Sequence, residues 1–134
     1  DYSTPIARCR QIADEKQILQ PPDLFKLWLT QGVLLINTSM TFAGPENKKQ
    51  HFEFWQPFHQ ALIKALNTES ESPFYILWGK KAQNWQPDIL ATIDDSNKTI
   101  CQGHPTFIHQ FLKKSQPTYS PFDEIESKTK LKWL

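Results

Sequence analysis

The sequence predicts an α/β domain built on a parallel sheet with helices on both faces, and three observations carry that expectation. Three short apolar runs, GVLLINTS at 32–39, PFYILWGKK at 73–81 and KTICQGHP at 98–105, are β-branched or aromatic and give way at once to polar residues or glycine. Residues 33–36 (VLLI) have no alternating polar partner, as expected of a strand covered on both sides. Helical periodicity occupies the stretches between the runs, and such alternation implies right-handed crossovers between parallel strands.

Taken in order, PPDLFKLWLTQ places Leu24, Leu27 and Trp28 on one helical face, with Pro22 suited to a helix start. The first strand follows at 33–36, and Asn37, Thr38 and Ser39 mark its exit. These polar residues read in two ways: as turn formers, or as ligand-facing groups, because open α/β sheets bind ligands just beyond the carboxyl ends of their strands. HFEFWQPFHQALIKALNTE spaces Trp55, Phe58, Leu62, Ile63 and Leu66 at helical intervals. It predicts a crossover helix with Pro57 confined to the first turn. A second strand at 74–78, a short helix and a third strand in the run 98–105 come next. Near the end, SPFDEIESK offers Ser120 as N-cap, Pro121 at the first helical position and Asp123 where an anion favours the helix N-terminus.

At 134 residues the chain has the length of one domain, and residues 1–134 are expected to form it. Hydrophobic residues at 39% and charged residues at 22% fit a globular protein, and no apolar stretch reaches the length of a membrane span. The start shows no signal-peptide pattern. Cys9 and Cys101 lie far apart with no further Cys or His at metal-ligand spacing, which favours a reducing intracellular compartment, cytoplasm or nucleus, and no metal. A net charge of +1 is too small to attract nucleic acid in bulk, so any such role rests on where the charges sit.

Three parallel strands would bring their ends to one edge. That edge gathers Asn37, Thr38 and Ser39 from the first, Gly79, Lys80 and Lys81 from the second, and Gly103, His104, Pro105 and Thr106 from the third. A lysine pair follows each strand: Lys48 and Lys49, Lys80 and Lys81, Lys113 and Lys114. Each pair by itself reads as solvated surface; together they read as a basic rim on one edge.

With QPPDLFKLWL, QGVLLINTSMTF, FYILWGKKAQ and GHPTF in this order, and more weakly the terminal KLKWL, the chain resembles the family-one branch of the uracil-DNA glycosylases over roughly residues 20–110. The resemblance implies a three-layer α/β/α fold around a four-stranded parallel sheet that takes a flipped uracil at its strand ends. It also implies a DNA repair enzyme that hydrolyses the N-glycosidic bond without metal or cofactor. Asn37 matches the asparagine that pairs with the uracil edge, and a carboxamide suits that task by presenting both donor and acceptor. His104 matches the histidine that hydrogen-bonds the uracil carbonyl as the base leaves as an anion, in the manner of an oxyanion hole. A lone histidine before proline also reads as a loop residue held by backbone.

The departures are specific. The family's Gly-Gln-Asp-Pro-Tyr motif, whose aspartate positions the attacking water, does not occur; Asp1 and Tyr2 are the nearest match, without the adjacent proline. The strand carrying that motif is central in the family's sheet, between those matched by 33–37 and 74–78. The chain is therefore expected to be the C-terminal portion of such a domain, completed by an upstream segment or partner chain, or else rearranged. The aromatic that stacks on uracil should fall near Cys9 to Ala13, where CRQIA has none. Asp23 replaces a phosphate-contacting serine and fits instead as a helix cap. Lys80, Lys81 and Thr106 are expected at DNA phosphates. Phe107 and Ile108 stand where the family's proline and intercalating leucine occur, either as the wedge filling the gap left by a flipped base or packed with Phe111 and Leu112.

The leading expectation is a uracil-DNA glycosylase acting on uracil-containing single- or double-stranded DNA. The alternative is a catalytically degenerate module of the same fold that binds DNA or a protein. A nucleotide-binding domain of another kind ranks last, since the four glycines form no G-x-G-x-x-G loop.

Overall fold

The computed structural model describes residues 11, 14–15, 20–69, 71–113, 115–116 and 118–133. Asp1, Tyr2, Cys9, Ala13 and Lys114, singled out above, lie outside the described residues. The chain divides into two compact units, residues 1–35 with 130–134, and residues 36–129.

In the first unit, helix α1 spans Pro21–Thr30. Asp23 serves its start: the Gln20 backbone N–H donates to Asp23 Oδ2 at 3.0 Å, so the carboxylate satisfies a donor and meets the positive end of the helix dipole. The C-terminal residues dock on α1. Trp28 Nε1 donates to the Trp133 carbonyl at 3.1 Å, the two indoles meet edge to face at 5.2 Å, and Trp133 is buried. Gln31 completes the clasp, donating from Nε2 to the Lys132 carbonyl and accepting the Lys132 N–H on Oε1, both at 2.8 Å.

The second unit contains α2 (Lys48–Asn67), β1 (Tyr75–Trp78), α3 (Lys80–Gln83), α4 (Gln86–Leu90), β2 (Thr99–Gln102), α5 (Ile108–Phe111) and α6 (Pro121–Lys128). The two strands pair in parallel, Tyr75 opposite Thr99 through Trp78 opposite Gln102. This is an α/β arrangement, with a two-stranded sheet among the described residues. Side chains alternate across it. Leu77 joins Ile63 of α2, Trp85 and Ile89 in one buried cluster. Its neighbour Trp78 instead meets Phe111 of α5 and Phe122 of α6 edge to face, at 5.6 and 6.5 Å.

Two local expectations are corrected. Residues 33–36 do not form a strand. A strand requires a neighbour for its N–H and C=O groups. Among the described residues this run has no such ladder, and Leu34, Leu35 and Ile36 are exposed at 58%, 50% and 42%. Pro57 lies inside α2 and not in its first turn: the helix begins at Lys48, nine residues earlier. The ring removes one backbone donor there. At α6 the expectation holds: Ser120 accepts the Asp123 N–H at 3.1 Å and Pro121 occupies the first turn.

Candidate active site at the strand ends

Where β1 ends, Gly79 continues the ladder by one bond, its N–H donating to the Gln102 carbonyl at 2.9 Å. Its φ of +84° with ψ of 163° is a conformation essentially reserved for glycine. A Cβ there would also stand 2.8 Å from His104 Cβ and 3.1 Å from His104 Cδ2. The missing side chain at 79 thus makes the seat on which His104 rests. Lys80 and Lys81 follow at once as the exposed first residues of α3.

β2 ends at Gln102, and Gly103 passes so close to α5 that a Cβ would lie 2.5 Å from the Gln110 carbonyl carbon. His104 comes next and is exposed. The Thr106 N–H donates to His104 Nδ1 at 3.1 Å, so the neutral ring carries its proton on Nε2 and presents a donor outward. The turn is closed by the Phe107 N–H on the His104 carbonyl at 2.8 Å, and the Phe107 ring meets the imidazole at 6.2 Å. Phe107 and Ile108 are 62% and 51% exposed, whereas Phe111 is buried, so the apolar pair projects from the start of α5.

The parallel strands therefore gather Gly79, Lys80, Lys81, His104, Thr106 and Phe107 at one end. Asn37 is exposed in the irregular segment ahead of α2, and no hydrogen bond or ring contact among the described residues joins it to His104.

Similarity to known proteins bears on this arrangement. A segment of 74 residues, 55% of this chain, is 34% identical to the uracil-DNA glycosylase of Streptococcus gordonii, covering 34% of that protein. The uracil-DNA glycosylase of Aliivibrio fischeri is 39% identical over 83 residues, 60% of this chain and 35% of the relative. That of Campylobacter curvus is 37% identical over 102 residues, 72% and 41%. The chain is a divergent relative of the uracil-DNA glycosylases. It spans about a third of the length of the first of these relatives (34%). No family model and no solved structure matches it.

Behind the strand end of this glycosylase relative lies a polar network not anticipated from the sequence. Gln102, 2% exposed, accepts from Trp78 Nε1 on Oε1 at 2.7 Å, and an indole can only donate, which fixes the orientation of the amide. Its Nε2 lies 2.9 Å from the Pro121 carbonyl, 3.1 Å from Glu124 Oε2 and 3.2 Å from Tyr119 Oη. With two hydrogens for three acceptors, one bond is shared. Tyr119 donates to Glu124 Oε2 at 2.7 Å and Lys128 to Glu124 Oε1 at 3.0 Å. Burial works to raise the Glu124 pKa, but the hydrogen bonds from Tyr119, Gln102 and Lys128 and the charge of Lys128 bring it down to about 2. Burial and the adjacent carboxylate push the Tyr119 phenol up to about 12. One signal was available in the sequence: Gln102 shares the period-2 register of Ile100, so a polar residue occupies a core-facing position of TICQ.

A separate open depression of about 410 Å³ is lined by Thr41, Gln50, His51 and Phe54, none of them a predicted site residue. Among the described residues no cluster of three or more His, Cys, Asp or Glu is arranged to hold a metal ion, and no helix is long and apolar enough to cross a membrane.

Proposed function

We propose that the chain supplies the leaving-base side of a uracil-DNA glycosylase, acting on a uracil nucleotide turned out of the DNA stack. The seating of His104 on Gly79, with Nδ1 occupied by Thr106 N–H and Nε2–H outward, is the observation that carries this reading. In the reaction a water oxygen bonds to C1′ of the deoxyribose as the C1′–N1 bond breaks. The bonding pair leaves with uracil as an anion, and the water loses a proton to a base. An N–H donor held at the uracil carbonyl stabilises the charge that develops there, an effect of roughly 10²–10³ in rate for one preorganised donor. His104 fills that role without gaining or losing a proton. Asn37 reads the uracil edge through its carboxamide, Lys80, Lys81 and Thr106 contact phosphates, and Phe107 with Ile108 fills the gap in the stack. The four-stranded sheet and three layers belong to the same reading: beyond β1 and β2 it requires two more strands and the motif's water-positioning acid, none of which is found among the described residues.

The second reading is a binding module of the same ancestry without catalysis. The lack of an aromatic among residues 9–13, where the resemblance places the ring that stacks on uracil, favours it. Single-turnover assay of the chain together with the segment that supplies the acid, on single-stranded oligonucleotides carrying one uracil or one thymine, beside equilibrium binding of a non-cleavable uracil analogue, separates the two. Release of uracil and not of thymine is expected. Binding of the analogue with no release assigns the chain to the module, and neither binding nor release removes both readings.

A further inference from the structure

We propose that Gln102 is a positioning residue that holds the His104 ring in its donor orientation, through the buried network joining the end of β2 to α6. The role at stake rests on His104 being the donor to the leaving base, but the placement itself does not. The side chain of Gln102 is anchored on β1 by Trp78 Nε1 and on α6 by the Pro121 carbonyl and Glu124. Its backbone carbonyl is held twice more, by the Gly79 N–H at 2.9 Å and by Gln83 Nε2 at 2.8 Å from α3. Both lone pairs of that carbonyl are thus in use, and the peptide plane leading into Gly103 is fixed from two sides. Gly103 has no room for a side chain against α5, and Gly79 forms the floor beneath the imidazole.

His104 therefore stands two residues beyond a point held by β1, α3 and α6 together. A strand position facing the core is ordinarily apolar, and a carboxamide there is tolerated only when its hydrogen bonds are made. The Gln102 carboxamide makes them to β1 through Trp78 and to α6 through Pro121 and Glu124. An apolar side chain would fill the volume but could not fix the rotation of the strand end. Hydrogen bonding to the surroundings sets which ring nitrogen of a histidine carries the proton, so loosening this anchor should disturb the Thr106 N–H to Nδ1 bond.

The test is two-bond ¹H–¹⁵N correlation spectroscopy of the His104 ring in the labelled 134-residue chain at about pH 8.5, where an ordinary imidazole is neutral. The parent should show separate Nδ1 and Nε2 resonances of the Nε2–H tautomer. Gln102→Met, of similar size but without hydrogen bonds, should replace them with exchange-averaged positions. Ile89→Val, which trims the cluster around Leu77, should lower the melting temperature and leave the His104 pattern as in the parent. If Gln102→Met is destabilised but keeps the parent's pattern, the residue is structural only and the proposal is overturned. Should Gln102→Met not fold, Trp78→Phe takes its place, removing the donor to Gln102 Oε1 while keeping an aromatic ring: averaging then supports the proposal, and the parent's pattern overturns it. None of these readouts depends on uracil release, so a chain that proves to be a binding module leaves them interpretable.

Discussion

Gly79 serves two purposes with one missing atom, because its backbone conformation and its contact with His104 both exclude a side chain. Gly79→Ala is expected to cost about 1–3 kcal/mol from backbone strain alone, read as a lower urea midpoint, and to displace the imidazole as well. An unchanged midpoint would show that the strand end relaxes freely. A second residue-scale expectation concerns Glu124. Its folded pKa of about 2 lies below its ordinary value of 4.5, so its charged form stabilises the fold above about pH 4.5. That contribution is lost as pH falls from 4.5 toward 2. Tyr119 has the opposite sign: its pKa is raised from 10.0 to about 12, so its contribution holds below pH 10 and is lost as pH rises through 12. Urea midpoints measured from pH 5 to 2 should fall more steeply in the parent than in Glu124→Gln. Parallel profiles would mean that Glu124 is not held in this way.

At the scale of elements, what could be read from the sequence was whatever local chemistry decides. YILW and TICQ became β1 and β2 because each finds the other as a partner, and SPFD begins α6 because Ser120, Pro121 and Asp123 satisfy the requirements of a helix start on their own. Ser120→Ala should therefore lower stability by about 1 kcal/mol, measured by thermal unfolding, and a loss of α6 helicity without loss of stability would contradict the cap's assigned weight. The run at 33–36 was not legible in the same way. Its apolar pattern states that the residues suit a covered strand, but a strand exists only with a neighbour, and none is paired with it among the described residues. Gln102 escaped notice for a related reason: a polar residue in a strand shows its meaning only when Trp78, Pro121 and Glu124, distant in sequence, come together around it.

At the scale of the molecule, the motifs that identified the glycosylase kinship converge only partly. The motifs of β1 and β2 meet at one end in His104, Lys80 and Lys81, while no hydrogen bond or ring contact among the described residues ties Asn37 to them. With a net charge of +1, affinity for DNA would depend on such local lysines. Replacing Lys80 and Lys81 with alanine should reduce the slope of log K against log salt by about 0.7 per lysine on single-stranded DNA. An unchanged slope would make them ordinary surface residues. The role proposed for the end of the parallel pair is to present His104 as a fixed donor to a departing uracil anion. Its most direct test is single-turnover uracil release from a defined oligonucleotide by the parent and His104→Ala, beside binding of a non-cleavable analogue. A rate lower by roughly 10²–10³ in His104→Ala with binding little changed is expected; a parent that releases uracil and a His104→Ala variant that releases it equally fast would overturn the assignment.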